Sequence, residues 1–274
     1  MKSKVAKIII YLFALLWSFI TIFPLAITFL SSVKDNQGIL LGMFSWPETW
    51  EWSNYITAFT RAGMGRAVLN SIFMSLSSTI VVVIFGMMVA YVLTRKQFKM
   101  KKFVYSLFII GVMVPVHTTI IPIANLASGV NGRNTYWFII LVYAAFNISQ
   151  AVFLFTGYLH GVDRELDEAA RIDGCNDFQI LSRILFPIST PIISTVAILT
   201  FIFGYGELIF SMILLTDESR FTIARAMLTF QGGYQNQLGP IFASIIIAVL
   251  PMIILYVLFH EKVQSGMMAG AVKG

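Results

Sequence analysis

The residues best placed to do work lie between Asp163 and Pro187, in the stretch DRELDEAARIDGCNDFQILSRILFP. Six of the chain's 13 acidic residues fall here, between two long apolar stretches. No catalytic set accompanies them. His117, His160 and His260 are scattered without ligand spacing, so no metal is assigned, and the G-x-x-x-x-G-K-[ST] phosphate cradle is missing. The chemistry on offer is recognition by a charged helical surface, not bond making. Asp163 suits an N-cap, and Asp167 and Glu168 in the first turn complement the helix dipole. Asp167 and Arg171 stand four apart, the spacing of an ion pair. Leu166, Ala169 and Ala170 fall on one face, where two alanines admit a close partner. Gly174 after Asp173 suits the C′ position. Asn176 and Gln179 have capping-box spacing, and Pro187 marks the return to apolar sequence. The expectation is a helix, a glycine turn and a second short helix.

Such an element could rest on lipid or on protein. Interfacial helices carry Lys and Arg on their polar face, and the inner leaflet is anionic. An acidic helix is repelled there, which points to a protein partner.

The elements around this stretch are apolar. The 274-residue chain is 58% hydrophobic and 12% charged, against about 25% charged in soluble domains. Charge-free windows run from Ile8 to Val33, Ala67 to Thr94, Phe103 to Gly132, Asn134 to Val162, Ile184 to Gly206 and Ala226 to His260. Each exceeds the roughly 20 residues that a spanning helix needs. Backbone groups in hydrocarbon must be satisfied within one segment or a closed barrel, and these windows do not alternate as barrel strands do. The expected fold class is all-α, a polytopic membrane protein with six transmembrane helices in contact with lipid. The first window is longer than a signal-peptide core and lacks a convincing cleavage site, so it is expected to remain as a helix. The net charge of +6 comes with lysines and arginines clustered beside the windows, and gives no sign of nucleic-acid binding. Placing Lys2, Lys4, Lys7 and the Arg95–Lys102 cluster inside puts 13 of the 19 Lys/Arg on the cytoplasmic side, with both termini. The lone Cys175 excludes an internal disulfide.

Helix one is expected over 7–31, with a bend at Phe23-Pro24. The outer segment to Arg66 holds Trp46, Trp50, Trp52 and Tyr55, which suit either an interfacial belt or a contact with an external protein. Helix two covers 69–93. Helix three, 103–126, contains Pro115 and Pro122 and is expected to kink or break. Helix four, 135–159, carries Asn147, Ser149 and Gln150, suited to sugar hydroxyls or to neighbouring helices. Helix five, 187–215, carries Glu207, the one acid inside an expected span. A charge there costs about 2.5–3.5 kcal/mol or more, so it faces a translocation path or a polar structural partner. Tyr205 lies beside it, between Gly204 and Gly206, which either loosen the helix or pack it closely. Helix six covers 240–260, before a short glycine-rich tail.

Glu168-Ala169-Ala170, then Gly174, then Ile184 and Phe186-Pro187 resemble the EAA motif of permease subunits of bacterial ATP-binding-cassette importers. The usual ending is Leu-Pro. Further pieces resemble the maltose-type second permease of the carbohydrate branch: Ser32-x-Lys34, Trp52-Ser53-Asn54-Tyr55, Asn70-Ser71, Met113-Val114-Pro115, Ile172-Asp173-Gly174 and the ending Gly270-Ala271-Val272-Lys273-Gly274. Where members often carry Trp-Asn-Glu, this chain has Tyr205-Gly206-Glu207.

The resemblance implies a type I importer permease of the MetI-like fold in the bacterial cytoplasmic membrane, with one transmembrane domain over 1–274, a core region over 66–262 and a coupling loop over 163–187. It implies that Glu168, Ala169, Ala170, Asp173, Gly174 and Pro187 couple the chain to two cytoplasmic ATPase subunits. Those subunits, not this chain, use ATP and Mg; the chain binds no cofactor. It further implies a homologous second permease and an external solute-binding protein that delivers sugar. Glu207, Tyr205, Asn147 and Gln150 are the candidates for the substrate path. The alternative reading is a self-contained ion-coupled secondary transporter, which calls for paired intramembrane charges and internal symmetry. A membrane enzyme would need a catalytic cluster inside the spans, and none is visible.

Overall fold

The structure, a computed structural model, describes residues 4–230 and 237–271. Val272, Lys273 and Gly274 of the family-like ending lie outside the described residues, as does Lys2. The described residues are helical, without strands. In chain order the helices are α1 (Lys4–Ser32), α2 (Asn36–Leu41), α3 (Ser53–Arg61), α4 (Met64–Arg95), α5 (Lys101–Met113), α6 (Ile120–Gly129), α7 (Tyr136–His160), α8 (Glu165–Ile172), α9 (Asp177–Gln179), α10 (Phe186–Ile188), α11 (Thr190–Gly206), α12 (Ile209–Leu214), α13 (Ile223–Met227) and α14 (Leu238–Ala271). Four stretches are long and apolar enough to cross a membrane alone: Ala6–Ser32, Met64–Arg95, Tyr136–His160 and Leu238–Leu258. Counting each of two bent pairs as one span gives up to six, Lys101–Met113 with Val116–Gly129 and Asp177–Ile188 with Thr190–Gly206.

The chain forms two compact units, residues 1–65 with 226–251, and 66–225 with 252–274. In the first, α1 runs unbroken through Pro24, and its apolar side chains stand exposed from Ile8 to Ile22. The turn after it is held from within. Lys34, 2% exposed, donates to the carbonyls of Gly42 (2.9 Å), Met43 (3.3 Å) and Ser45. Asn54 Nδ2 donates to the carbonyls of Ser32 and Lys34, and Ser32 Oγ shares a 2.7 Å bond with the Tyr55 hydroxyl. Two of the family-like pieces, distant in sequence, thus lock one loop.

In the second unit, helix association rests on close approach, because lipid tails are as apolar as leucine. A Cβ on Gly86 of α4 would lie 3.1 Å from the Ala151 Cβ of α7. One on Gly111 of α5 would lie 2.3 Å from Ser149 Oγ of α7, and one on Gly204 of α11 would lie 3.3 Å from Ser75 Cα of α4. Gly204 therefore packs helices instead of opening a pocket.

The break in the first bent pair has a local cause. Residue Val114 is extended ahead of Pro115, as steric conflict with a following proline demands, and the two halves meet at 97°. Pro122 does not contribute to the break. It lies within the second half, Val116–Gly129, beyond the break. The second pair bends by 81° near Ser189, and the carbonyl of Ile188 accepts from the Tyr158 hydroxyl at 3.0 Å. Helix five differs from expectation: it ends at Gly206, Glu207 is extended, and α12 begins only at Ile209.

Candidate functional site

The acidic stretch forms the expected helix, glycine turn and second helix. Gly174 takes φ +83°, a conformation that costs an L side chain roughly 1–2 kcal/mol. Its N–H reaches the Arg171 carbonyl at 3.1 Å and the Cys175 N–H reaches that of Ala170 at 2.9 Å, closing α8 with the paired bonds of a Schellman turn. Asn176 and Gln179 then exchange side-chain and backbone bonds at 2.8 and 2.9 Å, the capping box that opens α9. A wide turn follows over Ile180–Leu185, in which the Phe186 N–H reaches back to the Leu181 carbonyl.

Three local expectations are corrected. Asp163 does not cap α8; Arg164 occupies that position, with no side-chain bond to the helix. Asp167 does not pair with Arg171. Its Oδ2 lies 2.5 Å from Arg95 Nε at the end of α4, while Arg171 reaches Asp177 Oδ1 at 3.0 Å. Charges within a turn can be drawn apart when a tertiary partner lies on the buried side, and both Arg95 and Asp167 are on that side, with side chains 5% and 9% exposed. Nor do Leu166, Ala169 and Ala170 share one environment. Ala170 is 5% exposed and belongs to a core with Tyr91, Phe155, Leu159, Ile180 and Leu185. Ala169 and Glu168 face outward with Leu166 and Ile172, the last 87% exposed, and Phe178 of α9 is 72% exposed.

The back of the loop is thus fixed and its front is free. Arg95 also donates to the carbonyls of Leu159 (3.2 Å), in the last turn of α7, and Val162 (3.0 Å), just beyond it, and Arg164 donates to the Thr94 carbonyl at 3.0 Å. Asp177 accepts from the Tyr91 hydroxyl (2.9 Å), Lys96 (2.5 Å) and Arg171. Asp173 ends α8, its N–H bonded to the Ala169 carbonyl, and Pro187 lies in α10 just before the 81° bend. The roles of Arg95, Tyr91 and Asp177 do not follow from sequence spacing; the only signal is a basic cluster, which reads equally as an orientation mark.

The intramembrane candidates are partly assembled. Glu207 Oε1 accepts the Phe210 N–H (2.8 Å) and Oε2 the Ser211 N–H (3.1 Å), so the carboxylate caps α12. Oε2 also accepts from the Tyr143 hydroxyl at 3.0 Å. The orphan N–H groups and positive end of a short helix give a buried-depth carboxylate a stabilising seat. Asn147 is buried and donates to the Tyr143 carbonyl of its own helix at 2.8 Å. Gln150 is exposed, and Tyr205 is 4% exposed with its ring stacked on Phe201. Tyr143, which the sequence pattern does not single out, thus bonds Glu207 through its hydroxyl and Asn147 through its carbonyl. Among the described residues no cluster of three or more His, Cys, Asp or Glu could hold a metal ion.

Comparison with known proteins places this architecture. The family model described as the binding-protein-dependent transport system inner membrane component matches residues 82–268, well over half of the chain. The chain belongs to this family. Across 273 residues the permease is 30% identical to the probable ABC transporter permease protein YurM of Bacillus subtilis, covering 100% of this chain and 91% of that protein. It is 32% identical to the multiple sugar-binding transport system permease protein MsmG of Streptococcus mutans, covering 91% of each. It is 30% identical to the diacetylchitobiose uptake system permease protein NgcG of Streptomyces coelicolor, over 93% of this chain and 85% of that one. Its fold matches a chain from the crystal structure of a bacterial ABC transporter involved in the import of the acidic polysaccharide alginate. The TM-score is 0.75 at 20% identity, over 95% of this chain and 98% of that one. The protein is a multi-pass inner-membrane permease component of a binding-protein-dependent transport system, with the MetI-like fold.

Proposed function

We propose that this permease translocates a sugar or oligosaccharide across the bacterial cytoplasmic membrane, driven by two ATPase subunits that grip α8 and by a solute-binding protein that presents the sugar. A homologous second permease completes the path. Both termini and the loop over 163–187 are cytoplasmic, and ATP and Mg are used by the ATPases alone. The observation that carries this reading is the two-sidedness of α8. Its back is buried against α4 and α7, while Glu168, Ala169 and Ile172 stand exposed on a net acidic helix, which an anionic leaflet repels. The names of MsmG and NgcG concern sugars, which supports the substrate class. Asp173 and Gly174 form the turn between the loop's two limbs, Pro187 ends the loop, and Glu207, Tyr205, Asn147 and Gln150 border the path. Co-expression with the ATPase, second permease and binding protein, followed by sugar-stimulated ATP hydrolysis in proteoliposomes, tests the reading. Stimulation by a sugar with uptake supports it. Hydrolysis indifferent to every mono- and oligosaccharide, or a chain that transports without any ATPase, contradicts it.

A further inference from the structure

We propose that Arg95 is the joint that passes a displacement of α8 into the membrane helices α4 and α7. This rests on the reading of α8 as the face gripped by the ATPase.

Arg95 is the last residue of α4, yet its planar guanidinium serves three segments at once. Nε faces Asp167 Oδ2 of α8 at 2.5 Å, and Nη1 and Nη2 take the carbonyls of Leu159 and Val162 where α7 ends. The two Nη groups of the planar fork hold the two carbonyls in set directions while the charge of the same group faces the Asp167 carboxylate, a combination that the point charge of a lysine cannot reproduce. The pair is almost fully covered, so separating it would strand a buried charge. Arg164 returns a bond from the loop to the Thr94 carbonyl of α4. On the far side of the Gly174 turn, Asp177 is held by Tyr91 and Lys96, again at the end of α4. Both limbs of the loop are therefore fastened to the same six residues, Tyr91 to Lys96. The loop cannot slide over the bundle while these contacts hold. A push on its free face moves the ends of α4 and α7 with it.

The test uses the assembled transporter, with ATPase, second permease and binding protein present. Arg95→Met/Asp167→Leu removes both charges together, leaving no unpaired buried ion. Asp177→Asn/Tyr91→Phe loosens the second, half-exposed fastening and serves if the first variant fails to accumulate. The amount of ATPase that co-purifies, ATP hydrolysis and sugar uptake are measured on the same membranes. The expected result is unchanged co-purification with uptake per ATP lowered about fivefold or more, the lower end of typical coupling between sites. A purely structural role would lower the amount of complex and leave uptake per ATP unchanged, and that result overturns the joint. Failure of the unsubstituted chain to bring down any ATPase would instead overturn the functional reading, and the joint with it.

Discussion

Ala169 and Ala170, adjacent in the motif and about 100° apart around α8, meet different surroundings: Ala170 is packed into the core beneath α8, and Ala169 is exposed on its free face. Their small size has two different uses, one for folding and one for contact. Ala170→Leu overfills a packed site, at a cost of about 1–3 kcal/mol. It is expected to lower the thermal stability of the purified permease. Ala169→Leu leaves stability unchanged and weakens recovery of the ATPase in a pull-down. Equal melting temperatures for the two variants would contradict the two-sided helix.

Gly174 has φ +83° and open space where a side chain would go. The penalty of substitution is then one of backbone only. Gly174→Ala should destabilise by about 1–2 kcal/mol, and Gly174→Asn by less, since asparagine tolerates this conformation. Gly174→Pro cannot adopt it at all and should abolish coupling while the spans still insert. Thermal melts of the three variants and membrane-fraction levels give the order. A Gly174→Ala protein as stable as its parent would count against the turn.

Glu207 caps α12 and accepts from Tyr143. Glu207→Ala leaves two N–H groups and a hydroxyl without their acceptor and should cost about 0.5–2 kcal/mol, the range of a lost cap. Glu207→Gln keeps an acceptor oxygen and should cost less. Uptake should change in Glu207→Ala while the ATPase still co-purifies, because α8 is untouched. Loss of the ATPase in that variant would show that Glu207 acts on the loop.

Much of this architecture is legible in the amino-acid chain itself. The six apolar windows give the spans, and Pro115 marks the first break because proline removes a donor and constrains its predecessor. Gly174, Asn176 and Gln179 announce their turn and cap through local rules that need no partner. What depends on distant residues is not legible there. The i,i+4 spacing of Asp167 and Arg171 is outcompeted by Arg95, 72 positions away from Asp167, whose charge resembles an orientation signal. The break at Glu207 carries no proline; it depends on Tyr143 and on the N–H groups of α12, which only the folded bundle brings to the carboxylate. Helical phase alone places both alanines on one face, because it does not say which side of a short helix meets the core.

Glu168→Lys reverses a charge on the exposed face near the start of α8, where the dipole effect is only about 0.3–1 kcal/mol. The permease should insert and melt as before but lose most sugar uptake. Normal uptake in cells carrying Glu168→Lys would weigh heavily against a role for this face in coupling.

The most direct measurement replaces Cys175 with serine and places a single cysteine at 169 or 170 for site-directed crosslinking in the assembled transporter. The expected result is an adduct between Ala169→Cys and the nucleotide-hydrolysing subunit, formed from the cytoplasmic side, and little or none from the buried Ala170→Cys. No adduct from position 169, or labelling of that position by a reagent confined outside the cell, would contradict a gripped cytoplasmic α8.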